Sequence, residues 1–130
     1  VWDGSRHVVG DTASSALGVL SEVTDKHFGA RADWQFDAGL LFNDGRGIII
    51  NEIELFGQFP LGEPSSVFLS VTRDGKVWSN EVARTMPGSR EQRAIWRPGV
   101  RMPYQSGMRF RGTGRVSIAR CEVMAEGLAV

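Results

Sequence analysis

Apolar and polar residues alternate along much of this chain with a period of two. In Val67-Phe68-Leu69-Ser70-Val71-Thr72, residues Val67, Leu69 and Val71 share one face while Ser70 and Thr72 share the other, as in a strand with one covered face. Over residues 51–55, Glu52 and Glu54 point one way and Ile53 and Leu55 the other. The preceding Ile48-Ile49-Ile50 is apolar on both faces, as a central, doubly covered strand would be. Over 115–124 the phase changes. Val116 and Ile118 share a face that Arg120 and Glu122 continue, while Ala119, Cys121 and Val123 occupy the other. A bulge near Ile118, or cover on both faces, is expected. The pattern predicts strands over 5–9, 16–23, 32–42, 46–57, 66–73, 76–84, 92–97, 107–112 and 115–124. Residues 12–20 can be read as a short helix, but Ser14, Ser15 and Gly18 argue against it.

Turn signals separate these runs. Asp-Gly occurs at 3–4, 44–45 and 74–75, and Pro87-Gly88, Pro98-Gly99 and Gly112-Thr113-Gly114 add further breaks. The reading is all-β: an antiparallel sandwich of about seven strands over 31–126, with 127–130 as a tail. Residues 1–30 read as a hairpin extension or a partial propeller blade. A whole propeller within the chain is not expected, because no clean internal repeat is visible and four or more blades of roughly 40 residues each are required. At Asp74-Gly75 the pattern predicts a two-residue type I′ turn, with Val71 opposite Trp78 and Arg73 facing Lys76.

Composition narrows the class. Hydrophobic residues make up 42% of 130, enough for a core, and no apolar run is long enough to cross a membrane as a helix, so no membrane insertion is expected. The chain opens Val1-Trp2-Asp3-Gly4, with neither an initiator Met nor a signal-peptide pattern, and is read as a piece of a longer protein. The lone Cys121 excludes an intramolecular disulfide framework and is read as a small buried hydrophobe. Net charge is zero, but residues 1–83 carry 6 basic and 12 acidic groups, and residues 84–130 carry 9 and 3. Thirteen of the 15 basic residues are arginine, the residue suited to forked ion pairs. Either the two halves pair their charges across neighbouring strands, or the subunit has an acidic and a basic side that meet head to tail in a ring.

Candidate chemistry is sparse. A sialidase-type Asp-box, Ser-x-Asp-x-Gly-x-Thr-Trp, aligned on Trp78 and Gly75 puts its Asp on Arg73, its Ser on Val71 and its Thr on Val77. Asp74 is therefore read with Gly75 as a turn. His7 and His27 stand apart, with no spaced ligand motif, so neither metal nor other cofactor is expected. No Gly-x-Ser-x-Gly and no phosphate loop is present, and Glu52/Glu54 read as solvent-facing acids rather than a glycosidase pair. The arginines Arg93, Arg97, Arg101, Arg109 and Arg111 are candidates for ion pairs or interfaces. With Trp96, Tyr104 and Phe110 nearby, single-stranded nucleic acid is a weaker reading, and incidental contact with DNA needs only the basic charge. Trp34, Trp78, Trp96 and Tyr104 could form an aromatic platform in a carbohydrate- or receptor-binding sandwich of a tail fibre or a secreted protein.

The order of the segments "FLSVTRDGKVW", "AIWRPGVR" and "MRFRGTGRVSIARCEV" resembles the C-terminal part of the tail-hub, or nozzle, proteins of short-tailed phages, also called packaged-DNA stabilisation proteins. The first two segments fit the family's patterns, the second with Arg101 shifted by one residue, and the third departs by having Arg115 where Pro is usual. The resemblance implies a non-enzymatic component of the virion tail, assembled in the host cytoplasm. It implies a ring below the portal and adaptor proteins that retains the packaged DNA and docks tailspikes or fibres and the tail needle. No active site or cofactor carries over. Arg97 and Arg101 match a recurrent basic feature of the family.

Overall fold

A computed structural model describes residues 1–21, 23–24, 26–59, 64–88 and 92–129, and every regular element among them is a strand. The chain divides into two units, Val1–Ala32 and Asp33–Val130.

In the first unit, β1 (Val8–Gly10) pairs antiparallel with β2 (Leu17–Val19), and β3 (Lys26–His27) pairs with β4 (Ala30–Arg31). Residues 17–19 are therefore strand, which removes the helical alternative. Short polar side chains build the turns. The Asp3 carboxylate accepts the N–H groups of Ser5 and Arg6 and the Arg6 guanidinium. Those donors hold its pKa down at about 2. Asp11 accepts the Ala13 N–H and the Ser14 hydroxyl in the same way.

The second unit holds β5 (Asp33–Phe42), β6 (Ile48–Gln58), β7 (Ser65–Thr72), β8 (Val82–Met86), β9 (Arg93–Trp96), β10 (Val100–Met102), β11 (Gln105–Thr113) and β12 (Ser117–Gly127). One sheet runs β5-β11-β7-β8. The other is centred on β6, with β12 along one edge and β9 then β10 along the other. All pairings are antiparallel, and the two sheets make a β-sandwich. The expected tail begins one residue inside β12, which runs to Gly127.

The inward faces follow the alternation. Val67 and Leu69 from β7, Met108 and Phe110 from β11, Ile53 and Leu55 from β6, Ala94 and Trp96 from β9 and Met102 from β10 form the core. Phe36, Phe110 and Trp96 stack in sequence through its middle, with centroids 5.1 and 5.8 Å apart, the offset and edge-on spacings that aromatic rings favour.

Two departures from the sequence pattern have local causes, and one expected irregularity is found. β6 changes phase: Ile48 and Ile50 face inward, then Ile53 and Leu55 do, because its register with β12 slips between Met124↔Glu52 and Ala125↔Ile50. Asn51 is the extra residue of that bulge. The Ile48–Ile50 run is thus central, but its outer face is only half covered, at Ile49. The bulge expected near Ile118 lies between Ile118 and Arg120. Finally, β10 lies outside the strands that the alternation predicts. Pro98 and Gly99 interrupt the ladder, and Val100–Met102 then resume pairing with Ile48–Ile50. Gly47 lets the β5–β6 turn lie on this strand: its φ is +81°, and a Cβ would stand 2.6 Å from the Met102 carbonyl oxygen.

Candidate interaction surfaces

The arginines sit on or beside strands, at positions where carboxylates from elsewhere in the sheets can reach them. On the outer face of the β5-β11-β7-β8 sheet, Arg109 lies opposite Asp37. It donates from Nε and Nη2 to the two carboxylate oxygens at 2.7 and 2.8 Å. Its guanidinium also lies 3.9 Å over the Trp78 ring. Arg111, two residues on, forms the same fork with Glu81 at 2.8 and 2.7 Å and covers the Phe68 ring at 4.6 Å. Both arrangements combine bidentate geometry with an aromatic face, which a lysine cannot supply. The Arg109 hydrogen bond holds Asp37 below its ordinary pKa, and the Arg111 hydrogen bond does the same for Glu81.

The other sheet repeats the theme. Arg93 reaches Glu54 at 3.2 Å, and Arg97 reaches Glu52 at 2.8 Å. Arg120 pairs with Glu122 at 2.9 Å and covers the Phe56 ring at 4.0 Å. Of the five arginines singled out from the sequence, four therefore pair with carboxylates from residues 37–81. The fifth, Arg101, is exposed on β10, with no side-chain partner among the described residues.

The Asp74-Gly75 hairpin differs from expectation. Trp78 bridges Thr72, not Val71, and β8 begins only at Val82. Residues 73–77 form a longer loop, and Arg73 does not face Lys76 across a two-residue turn. Gly75 takes a positive φ of 76° while Asp74 does not. Side chains on both sides of the turn explain this. The Thr72 hydroxyl lies 2.6 Å from the Val77 carbonyl and accepts the Gly75 N–H at 3.0 Å. The Asp74 carboxylate accepts the Lys76 and Val77 N–H groups at 2.8 Å each, which lowers its pKa. These local bonds outcompete the two-residue ladder closure. Val71 instead exchanges bonds with Ser79, its carbonyl taking the Ser79 N–H at 2.8 Å and its N–H meeting Ser79 Oγ at 3.0 Å.

Where the edge of β8 meets β9, two side chains tie the sheets together. Trp96 Nε1 donates to the Val82 carbonyl at 2.8 Å, and Arg84 Nε donates to the Ile95 carbonyl at 3.0 Å. Arg84 is an inward-pointing charge on an edge strand, a device that discourages further strand pairing. Next to this seam a groove of about 330 Å³ opens between the 73–79 loop and β10, walled by Val71, Val77, Trp78, Val100 and Met102, with Arg73 on its rim. A smaller hollow of about 180 Å³ shares Val71 and Ser79 with it and extends toward Trp96 and Pro98.

The four rings proposed as an aromatic platform are not brought together. Trp96 is 2% exposed in the core, Trp34 faces inward beside Phe36, Trp78 lies under Arg109 on the outer face, and Tyr104 is exposed in the β10–β11 connection. A platform needs coplanar exposed faces on one side. Strand alternation puts Trp34 and Trp96 on the inward side instead. His7 packs on Trp2 and His27 on Phe28. Among the described residues no group of three or more potential metal ligands converges. Burial raises the Cys121 thiol pKa.

Sequence reasoning overlooked several residues that organise these surfaces. Asp37 and Glu81 lie 72 and 30 residues from their arginines, a separation that leaves no local trace. Arg84 and Thr72 did leave one: Arg84 stands in phase with Val82 and Met86, and Thr72 sits two residues before a turn aspartate.

Residues 33–129 thus form an antiparallel β-sandwich in which Arg93, Arg97, Arg109, Arg111 and Arg120 meet the chain's own carboxylates. A family model described as "Bacteriophage P22 Gp10, beta-sandwich" matches residues 33–126. The chain belongs to that family of phage structural proteins. No curated protein matches the chain.

Proposed function

We propose that the chain is a non-enzymatic part of a phage tail hub, or nozzle, that joins the portal-adaptor complex to the tail and helps to retain the packaged DNA. The observation that carries this reading is the family match across residues 33–126, from the start of β5 to one residue short of the end of β12. In this role the chain sits in the virion tail after assembly in the host cytoplasm and works as a ring of identical copies. Its partners are other copies of itself, the adaptor and portal proteins, the tailspike or fibre and the tail needle, with incidental contact to packaged DNA. A structural role suits a domain whose polar groups are largely satisfied internally, because such a surface is rigid and pre-organised for assembly.

The test is to mix the purified chain with the adaptor and tailspike proteins of its own phage and to follow the assemblies by light scattering and native mass spectrometry. A closed ring or a defined complex is expected. A monomer at all concentrations that binds none of these tail proteins would overturn the reading.

A further inference from the structure

The chain has three Asp-Gly steps, at 3–4, 44–45 and 74–75, and both residues of each are exposed. In such a step a carboxyl group stands beside the next N–H with no side chain in the way. The fold treats the three differently. Asp74 Oδ1 accepts the Lys76 and Val77 N–H groups, and the Gly75 N–H goes to the Thr72 hydroxyl at 3.0 Å. Both groups of that step are engaged. Asp3 Oδ1 accepts the Ser5 and Arg6 N–H groups, and its Oδ2 takes the Arg6 guanidinium at 3.0 Å. Hydrogen bonds to a carboxylate favour its ionised form. Both pKa values are lowered, that of Asp3 to about 2.

The middle step has no such protection. The Asn43 carbonyl accepts the Arg46 N–H at 2.7 Å, and Asp44 and Gly45 take φ of +43° and +75°, the signs of a type I′ turn. Neither the Asp44 carboxylate nor the Gly45 N–H has a hydrogen-bond partner among the described residues. Just beyond this pair the chain is held. Gly47 packs on the Met102 and Pro103 carbonyls, and its own carbonyl accepts the Leu128 N–H at 3.0 Å and Asn43 Nδ2 at 2.8 Å.

We infer that Asp44 is a modification site, at which the folded chain forms isoaspartate by itself while Asp3 and Asp74 are protected. The Gly45 nitrogen attacks Asp44 Cγ. A C–N bond forms, the nitrogen loses its proton, the carboxyl loses its hydroxyl, and one water leaves. A succinimide ring results. Water then adds to the former main-chain carbonyl carbon of Asp44. The ring opens, the chain now runs through Cβ and Cγ, and the α-carboxylate is free. One water leaves and one returns, so neither oxidant nor reductant is consumed. The modified backbone is longer by one atom. Because Gly47 is held, that atom is not absorbed toward β6, and the Asn43–Arg46 bond is stretched. This turn joins β5 of one sheet to β6 of the other, so the change loosens a link between the sheets. The reaction belongs to the chain alone and does not depend on the tail-hub role.

The test is to age the full chain at neutral pH, folded and in urea, and to map isoaspartate at each step by electron-transfer mass spectrometry of its peptides. The folded rate at each step is divided by the urea rate at the same step, which removes the effect of neighbouring sequence. The ratio at Asp44 is expected to exceed those at Asp3 and Asp74 severalfold. The aged folded chain should also accept methyl groups from S-adenosylmethionine through an isoaspartyl carboxyl methyltransferase. Asp44→Gly suits the positive φ and has no carboxyl, and it should lose most of that labelling. On ageing, the urea midpoint should fall in the parent chain and hold in Asp44→Gly. Equal ratios at the three steps, a higher ratio at Asp3 or Asp74, or labelling unchanged by Asp44→Gly would overturn the inference. An equal fall of both midpoints would overturn the loosening of the link between the sheets.

Discussion

Thr72 is 2% exposed, and its hydroxyl lies within hydrogen-bond distance of Val77 O, Gly75 N and Asp74 Oδ1. One residue thus holds both sides of a five-residue loop. Thr72→Val keeps the shape and removes the hydroxyl, leaving partners unmet in a part-buried place. The expected loss is about 1–3 kcal/mol in urea unfolding, whereas Thr72→Ser should recover most of it. Glycine has the opposite role at 112. A Cβ there would stand 2.4 Å from Trp34 Cζ2, so the indole must move out of its stack on Phe36. Gly112→Ala is expected to destabilise by about 1–3 kcal/mol, the usual result of overpacking, and to shift the Trp34 indole resonance. Trp96 contributes a ring and a donor. Trp96→Phe keeps most of the core contact but leaves the Val82 carbonyl without the indole N–H, and should cost about 1–2 kcal/mol by the same assay.

At the scale of strands, outward alternation lets arginines meet carboxylates across β5-β11 and β6-β9, and lets Arg111 reach over β7 to Glu81 just before β8. These pairs are partly exposed, so their worth is small and salt-dependent. Their pH dependence has a definite sign. Asp37 and Glu81 are held below their ordinary values of 3.8 and 4.5 in the folded chain. A depressed carboxylate contributes stability in full above its unfolded pKa, and the contribution is lost as pH falls through the lower folded value. Stability should therefore be flat near neutrality and decline below pH about 4. The decline should be shallower in Asp37→Asn and Glu81→Gln, as measured by urea midpoints at stepped pH. An unchanged profile in both variants would mean that these forks do not couple to folding. The strand scale also shows what could be read locally. The Ile118 bulge was visible as a phase change, because period two is a strict signal. β10 was not, because three residues after Pro-Gly carry too little pattern.

At the scale of the molecule, the division after Ala32 matters most. The second unit holds the described core residues, both four-stranded sheets and the family match. A chain beginning at Asp33 should therefore fold by itself and unfold in one cooperative transition, with a midpoint close to that of the full chain. Non-cooperative melting of the shortened chain would show that residues 1–32 are needed for the sandwich. Charge also takes a different meaning at this scale. The sequence offered two readings of its acidic first part and basic last part, and the four Arg–carboxylate pairs realise the first: the halves neutralise each other across strands. The proposed ring therefore finds no support in an acidic side meeting a basic one.

The fold class, the approximate places of most strands and the family could be read from residue order, because alternation, Asp-Gly breaks and segment order are local properties. Residue order also determined that the outward positions of β9 and β11 carry arginine. Three features came from the folded chain: which carboxylates those arginines meet, the scattering of Trp34, Trp78, Trp96 and Tyr104 over different surfaces, and the longer loop that the Thr72 and Asp74 side chains build in place of a two-residue turn. The physical reason is common to all three. Each depends on which strands become neighbours and in what register, and register is set by the packing of two sheets over a shared core, not by any short stretch of chain.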